Sequence, residues 1–147
     1  PPRSTLFPYT TLFRSIDFTK QAVQELEAKG HEVELTGIFY HLGENDMSFH
    51  PYRKQAAERL QAIIAQSRKD LERPALKWYV SQQPPTDDKS VNNIDVVANI
   101  AMAAAADPTL IHLKAFNLPP QEKKLVISTA GIVELGEFIA KSYLGHQ

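Results

Sequence analysis

Residues 30–46 read GHEVELTGIFYHLGEND, and this stretch determines the fold class that we predict. Its apolar run, Ile38–Tyr40, is near-continuous, which is typical of a strand buried on both faces of a parallel sheet. Ahead of it, apolar residues recur at helical spacing: Phe18, Ala22, Val23 and Leu26. We therefore predict a helix from Asp17, its N-cap, to Lys29, with Gly30 as its C-terminal stop and a strand over Glu32–Tyr40.

The sequence after this strand continues with a helix, a strand and a second helix. Pro51 opens the first of these helices and Pro74 ends it; its apolar stripe is Tyr52, Ala56, Leu60, Ile63, Ile64, Ser67 and Leu71. The next strand is predicted over Leu76–Gln82, where aromatic residues and valine are concentrated. Ile94–Ala106 is predicted to be the second helix, ended by Asp107 and Pro108.

One more strand, Thr109–Ala115, and one more helix complete the pattern. Ser128 or Thr129 caps the last helix, whose predicted apolar side is Ile132, Val133, Leu135, Phe138, Ile139 and Tyr143. Strands that alternate with helices favour an α/β fold in which helices cover both faces of a parallel sheet. We therefore predict a three-layer α/β/α sandwich that is incomplete at its N-terminus.

Residues 1–15, PPRSTLFPYTTLFRS, differ in character from the rest of the chain. They contain no acidic residue and no helical period, and they match, residue for residue, the translation of a common short-read sequencing adapter. We treat them as non-native and do not use them to predict the fold. Without them the net charge is −3 instead of −1, because Arg3 and Arg14 are lost and no acidic residue is. Residues 16–147 are then expected to be the C-terminal two-thirds of a single domain.

Composition excludes several function classes. The 147 residues are 43% hydrophobic with a net charge of −1, which gives no electrostatic footprint for nucleic acid or an anionic membrane surface. Cysteine is absent, so disulfides, thiol catalysis and cysteine zinc sites are excluded. No apolar run approaches the ~20 residues of a membrane span.

In a parallel α/β sheet, ligands bind outside the carboxyl ends of the strands. This rule selects three loops, at residues 41–50, 81–93 and 116–128. The first has the densest set of polar and ionisable side chains: His41, Glu44, Asn45, Asp46, Ser48 and His50. It is therefore our first candidate for the functional site.

The sequence Gly43-Glu44-Asn45-Asp46 suits an acyl-transfer site. Gly43 lets the backbone approach an oxyanion and offer its N–H, and the Asn45 amide supplies a second donor for the charge of a tetrahedral intermediate. An ordinary turn explains the same residues, with Asp46 or Ser48 capping the next helix. These four residues alone favour the turn.

Residues 37–46, GIFYHLGEND, together with the helix and strand after them, resemble the SGNH (GDSL-like) hydrolases. The resemblance is to the sialate O-acetylesterase-like branch, which includes bacterial acetylxylan esterases. In that branch an apolar strand ends in a Trp-x-Gln-Gly-Glu-Ser-Asp-like block, which reads YHLGEND here. The approach ELEAKGHEVELTGIFY and the closing helix TAGIVELGEFIAKSYL are also similar, so the resemblance covers residues 18–144.

The resemblance implies a flavodoxin-like α/β/α fold and hydrolysis of O-acetyl esters on carbohydrates, without a cofactor. It assigns Gly43 and Asn45 to the oxyanion hole and Glu44 to the support of a catalytic histidine, whose tautomer a buried carboxylate fixes. The family's nucleophilic serine follows its first strand, which we expect upstream of Ile16. The family also suggests a periplasmic or secreted protein.

This sequence departs from the family pattern at positions that matter for catalysis. Leu42 replaces the glutamine before the glycine, and Tyr40 replaces the tryptophan. The family's Asp-x-x-His would fall on Lys123 and Val126, and no Asp-x-x-His occurs anywhere in the chain. Either another histidine has been recruited or the chain is a non-catalytic relative.

The histidines differ in their positions relative to the predicted elements. His41, at a strand end close to Glu44, is a candidate for catalysis or substrate contact, with a structural imidazole as the alternative. His50 is better explained as a helix-entry residue, and His112 as a histidine inside the sheet. His31 and His146 are expected to be exposed. No spacing such as His-x-x-x-His supports a metal site.

Further substrate contacts are predicted from Asp46, which follows His41 in the same loop, and from Ser81 and Gln82. The last two end a strand at the edge where ligands bind, although ordinary loop polarity explains them about as well. Trp78 and Tyr79 lie in the middle of that strand and are expected to be core aromatics before they are a sugar-binding platform.

Two function classes fit the sequence. The first is an esterase that removes O-acetyl groups from carbohydrates, with its nucleophile upstream of this chain. The second is a catalytically inactive relative that serves as a carbohydrate-binding or interaction module, which Leu42, Lys123 and Val126 favour. A phosphate or nucleotide binder is a distant third, because no glycine-rich phosphate loop is visible. The oligomeric state is not predicted.

Overall fold

A computed structural model describes residues 6–42, 50–82, 94–115, 118 and 127–146 of the chain. Its elements, in chain order, are α1 (Leu6–Ala28), β1 (Gly37–Leu42), α2 (His50–Asp70), β2 (Lys77–Gln82), α3 (Ile94–Ala106), β3 (Leu110–His112) and α4 (Thr129–Leu144). Residues 1–36 and 60–76 form one compact unit, and residues 37–59 and 77–147 form a second, which contains the sheet.

The sheet in the described part of the chain has three strands in the order β1-β2-β3, and both pairings are parallel. The register of β1 on β2 runs from Gly37 opposite Lys77 to Leu42 opposite Gln82. On the other side of β2, Trp78 lies opposite Leu110. Parallel strands joined through helices confirm the predicted α/β class.

The first strand starts later than predicted. Residues 31–36 are not in a strand, and β1 begins at Gly37 and continues to Leu42. The physical reason lies in β2, the strand that pairs with β1. Turns precede β2, so its first residue in the ladder is Lys77, and β1 can begin only at Gly37 opposite it. Because β1 is an edge of the described sheet, Phe39 is 45% exposed, and the prediction of burial on both faces was wrong for this strand.

The first helix starts earlier than predicted. Helix α1 begins at Leu6 instead of at an Asp17 N-cap, so most of the adapter-like stretch is helical. Pro8 does not prevent this, because it lies in the first turn, where an N–H has no intrahelical acceptor. A helix formed over later residues can therefore extend back through it.

Helix α1 ends where the sequence predicted, at the Gly30 stop, but the side of the helix that is buried differs from the predicted one. Gly30 adopts a left-handed conformation with φ 84°, and the N–H of His31 donates to Leu26 O at 3.1 Å. These are the marks of a Schellman motif, in which glycine is the favoured residue because it has no Cβ. The predicted apolar face was wrong at Phe18, which is 73% exposed, whereas Ile16 is buried.

Helix α2 buries most of its predicted stripe: Ala56, Leu60, Ile63, Ile64 and Ser67. It ends at Asp70, before Pro74 is reached. Glu72 takes the left-handed conformation with φ 55°, and the N–H of Arg73 donates to Arg68 O at 2.9 Å. The helix is thus ended by a hydrogen-bonded cap, and Pro74 only follows it.

Helix α3 has the predicted bounds, and α4 has the predicted cap. The N–H of Gly131 donates to Ser128 Oγ at 3.1 Å. The predicted apolar side of α4 is confirmed at Leu135 and Ile139, which pack with Ala115, Leu118 and Ile127, and was wrong at Ile132 and Val133, which are more than half exposed. Burial at every fourth residue selects a narrower stripe than the sequence suggested.

Strand β2 forms the centre of the core. Trp78, Tyr79 and Val80 are fully buried, which confirms the two aromatics as core residues. The Tyr79 ring stacks on Phe39 at a centroid distance of 4.8 Å and meets Tyr143 of α4 edge-on at 5.9 Å. Aromatic packing therefore fixes α4 on one face of the sheet.

Gly37 and Gly136 form a matched pair for testing this packing. A Cβ at Gly37 would lie 3.0 Å from Tyr79 Cε2 and 3.1 Å from Lys77 O, whereas one at Gly136 would meet nothing within 4 Å. We expect Gly37→Ala to lower the free energy of unfolding by about 1–3 kcal/mol through overpacking. We expect Gly136→Ala to raise it by about 0.5–1 kcal/mol through helix propensity. Urea denaturation measures both, and equal stabilities of the two variants would contradict the register of β1 on β2.

Candidate functional site

The carboxyl ends of the described strands place polar side chains at one edge of the sheet. His41 and Leu42 end β1, Ser81 and Gln82 end β2, and His112 ends β3. Because the strands are parallel, these ends are neighbours. This carboxyl edge is where the sequence analysis predicted the binding site, and the structure describes the part of it that the strand ends form.

Side chains alternate between the two faces of this sheet. The α4 face holds Gly37, Phe39 and His41 of β1 with Lys77, Tyr79 and Ser81 of β2; the opposite face holds Ile38, Tyr40 and Leu42 with Trp78, Val80 and Gln82 and, on β3, His112. Contacts of Tyr143 with Phe39 and Tyr79 identify the first of these faces as the one that α4 covers.

On the α4 face, His41 and Ser81 form a hydrogen-bonded pair. They are register partners, and His41 Nδ1 lies 2.8 Å from Ser81 Oγ. Ser81 is 1% exposed, while His41 is partly buried. A buried hydroxyl needs a hydrogen-bond partner, so this contact orients the imidazole at the strand end.

On the opposite face, Gln82 and His112 form a second pair. His112 Nε2 lies 2.6 Å from Gln82 Oε1, so this ring nitrogen donates to the amide oxygen. Burial lowers the pKa of His112 below its usual value of 6.5, and the charge of Lys114 lowers it further. The imidazole is therefore held neutral and ties the ends of β2 and β3 together.

Helix α4 runs antiparallel to the strands. Its C-terminal residues lie at the start of β2, where Lys77 Nζ donates to the carbonyl of His146. Its first half packs on Ala115 and Leu118, which follow β3. The N-terminus of α4, capped by Ser128, is thus directed toward the carboxyl edge, on the face that holds His41.

Several predicted site residues lie outside the described residues. These are Gly43, Glu44, Asn45 and Asp46, which follow β1 directly, and Lys123 and Val126, which precede α4. His50 begins α2, but its side chain is not described. His31 and His146 are exposed, as predicted.

Sequence reasoning placed Ser81 and Gln82 at the correct edge but missed their partners. It treated both as residues that touch a sugar, whereas each is buried and bonded to a histidine of a neighbouring strand. Only the strand register could have revealed the contact between His41 and Ser81, because these residues face each other only when β1 pairs with β2 as it does in the structure. A histidine and a serine forty residues apart give no local pattern.

Among the described residues, no group of three or more histidine, aspartate or glutamate side chains could hold a metal ion. In the same part of the chain, no helix combines the length and the apolar character that crossing a membrane requires.

Residues 10–145 match the profile of a protein family described as carbohydrate esterase, sialic acid-specific acetylesterase. This chain belongs to that carbohydrate esterase family. The match includes all the described strands and continues through the segments that hold the predicted oxyanion residues. The family resemblance derived from residues 37–46 is therefore confirmed.

The structure of this acetylesterase-family chain is also similar to a solved one. An Arabidopsis thaliana protein, determined by X-ray crystallography at 1.6 Å resolution, superposes with a TM-score of 0.68 at 20% sequence identity. The match covers 90% of this chain and 51% of the Arabidopsis chain, so this chain spans about half the length of that protein. The likeness supports the fold. No curated protein matches the sequence.

The lowered pKa of His112 predicts acid sensitivity. A histidine whose pKa is lower in the folded chain than in the unfolded chain stabilises the fold above the unfolded value of 6.5, and that stability is lost as the pH falls through the folded value. We expect the free energy of unfolding to decrease between about pH 8 and pH 5, and His112→Gln to lose less of it. Urea titrations at both pH values measure this, with His31→Gln as the exposed control. An identical loss in wild type and His112→Gln would contradict the assignment.

Proposed function

We propose that this chain is part of an esterase that removes O-acetyl groups from carbohydrates. The observation on which the proposal depends is the family match over residues 10–145, which covers nearly the whole chain. The carboxyl edge supports it, because a histidine held by a buried serine ends the strand that runs directly into Gly43-Glu44-Asn45-Asp46.

In this proposal three of the four residues after β1 stabilise the transition state. The Gly43 N–H and the Asn45 amide donate to the oxyanion that forms when the acetyl carbonyl is attacked. Glu44 supports the imidazole that carries the proton, since a nearby carboxylate fixes its tautomer and stabilises its cation. Leu42, directly before them, is buried and anchors their starting point in the sheet.

The substrate sits above the carboxyl edge. His41 and Asp46 face the acetylated sugar, while Ser81 and Gln82 form the layer beneath them, in keeping with their burial. A buried layer of hydrogen-bonded side chains holds the residues that touch a ligand in fixed positions. The substrate in this proposal is an acetylated carbohydrate, which the family match supports.

The nucleophile of the proposed reaction is a serine on a segment N-terminal to this chain. Two observations support this: the chain spans about half the length of the Arabidopsis structure that it resembles, and residues 1–15 read as adapter sequence. The chain by itself is then expected to release no acetate.

A catalytically inactive carbohydrate-binding relative is the second candidate. It is favoured by Lys123 and Val126, which stand where the family has Asp-x-x-His, and by Leu42 in place of glutamine. Such a protein would bind acetylated sugars without releasing acetate, even when extended to its native start.

The test uses the protein extended to its native N-terminus. We expect it to release acetate from p-nitrophenyl acetate and from acetylated sugars, and Asn45→Ala to lower kcat by about 10²–10³-fold, because one oxyanion donor is lost. Asn99→Ala, in the middle of α3, is the matched control and keeps the wild-type rate. An unchanged kcat in Asn45→Ala removes Asn45 from the mechanism. Turnover by the 147-residue chain alone contradicts the assignment of the nucleophile.

A further inference from the structure

We infer that the exposed flank of α4 is a self-association surface, on which a second copy of this chain packs its own α4 in the antiparallel direction. This interface goes beyond the proposed esterase function, because it concerns the side of α4 that does not face the sheet. Three observations support it: exposed apolar side chains in a row, the order of their sizes along the helix, and the charged pair beside them.

Four residues form a row along this flank, which we call the α4 stripe: Ile132, Gly136, Ala140 and Leu144. Residues four apart lie one above the other on a helix, so the four share one face. Ile132 and Leu144 are more than half exposed, and Gly136 and Ala140 are exposed between them. Single exposed apolar residues are ordinary on protein surfaces, whereas a contiguous row of them marks an interaction site.

The α4 stripe lies beside the buried side of the helix and does not overlap it. Leu135 and Ile139 point to the core, and Tyr143 contacts Phe39 of β1 at a centroid distance of 6.1 Å. At about 100° per residue, the stripe is on the same flank of α4 as Tyr143. Val133, which is more than half exposed, is on this flank as well, and Phe39 is also exposed. The apolar surface therefore extends from the helix toward β1.

The side chains of the α4 stripe are large, small, small and large in chain order. When a second copy lies antiparallel with its Ala140 opposite Gly136, its Leu144 comes opposite Ile132. Rows of residues four apart pack by interdigitation, with the closest approach at the crossing point. That point falls on the two small residues, and a Cβ at Gly136 would meet nothing within 4 Å in a single copy.

Charge complementarity favours the antiparallel direction. Glu137 and Lys141 follow the two small residues of the stripe and flank it on the solvent side, where both are exposed and their Nζ and Oε2 atoms are 3.9 Å apart. In an antiparallel pair the same side of each helix faces the same side of the other. Glu137 of each copy then lies beside Lys141 of the other copy, which a parallel pair does not allow.

The occupant that these features fit is a second copy. Both the sizes and the charges match themselves about a single point of the helix, between Gly136 and Ala140. A two-fold interface requires this, because each copy presents the same patch to the other. A different helix packed on this flank would require apolar character there but no such symmetry.

The length of α4 limits the affinity of the dimer. Its 16 residues span about 24 Å, so one flank of it is smaller than the roughly 800 Å² that each partner buries in a standard interface. We therefore expect monomer and dimer to exchange, with a Kd on the order of 10–100 µM.

Sedimentation velocity of the 147-residue chain, over concentrations that bracket this Kd, tests the surface. We expect the average mass to rise from monomer toward dimer, and Ala140→Glu to raise Kd by at least about 10-fold because it places a charge in the contact. Ala130→Glu is the matched control, since Ala130 is the other alanine of α4, is also exposed and lies off the stripe. A chain that stays monomeric, or equal weakening by both variants, overturns the inference.

Glu137→Lys and Lys141→Glu test the direction of packing. Each variant places like charges beside each other in its own dimer, so we expect each to associate with itself about 3–10-fold more weakly than wild type. An equimolar mixture of the two should regain the wild-type affinity, because every contact between the copies then joins a lysine to a glutamate. An effect limited to the pair within one helix would weaken both variants without this recovery, and that result overturns the antiparallel alignment.

Disulfide formation locates the contact, because the chain has no cysteine of its own. A mixture of Gly136→Cys and Ala140→Cys chains should form the mixed disulfide faster than either variant forms its own, since the two positions lie opposite each other across the dimer. Faster cross-linking of Gly136→Cys to itself than to Ala140→Cys overturns the antiparallel alignment.

The protein extended to its native N-terminus distinguishes a second copy from the part of the fold upstream of this chain. We expect the extended protein to dimerise with a similar Kd and to lose the dimer in Ala140→Glu. An extended protein that stays monomeric while the 147-residue chain dimerises would overturn the inference for the native protein, because the upstream part then covers α4. Neither result depends on acetate release, so the esterase proposal is tested separately.

Discussion

The parallel pairing of β1 with β2 is the constraint on which the rest of the structure depends. Its register, from Gly37 opposite Lys77 to Leu42 opposite Gln82, determines which residues share a face. A slip by one residue would turn His41 away from Ser81 and move Phe39 off Tyr79, because side chains alternate along each strand. One hydrogen-bond ladder therefore sets both the aromatic packing under α4 and the polar pair at the carboxyl edge.

Strand β2 is buried along its length although its last two residues are polar. Ser81 and Gln82 are at most 1% exposed, and an unsatisfied buried polar group costs about 1–3 kcal/mol. Histidines from the two flanking strands supply the hydrogen bonds, one on each face. Ser81 Oγ and Gln82 Oε1 are thus each matched by a ring nitrogen of an adjacent strand, whereas Gln82 Nε2 is buried without a hydrogen-bond partner among the described residues.

Patterns within one segment were predictable from the sequence, and patterns that depend on a partner were not. The bounds of α3, the Ser128 cap and the Gly30 stop follow from local propensity and are confirmed. The predicted start of β1 was wrong because the turn before β2 determines where the ladder between the two strands begins. For the same reason, His41 and Ser81 were each recognised as site candidates, but their contact was not. The family was recognisable because its block of residues is contiguous in the chain.

The two histidine pairs tie the carboxyl ends of the three described strands together. His112 is kept neutral by burial and by Lys114, so its bond to Gln82 persists through the physiological pH range and holds β2 against β3. His41 is at the outer strand of the described sheet, bonded through Nδ1 to a hydroxyl that can donate or accept. A hydroxyl partner keeps its hydrogen bond whether or not the facing ring nitrogen carries a proton, which an amide oxygen cannot do. The edge thus holds both imidazoles by hydrogen bonds to the end of β2, one to a hydroxyl and the other to an amide oxygen.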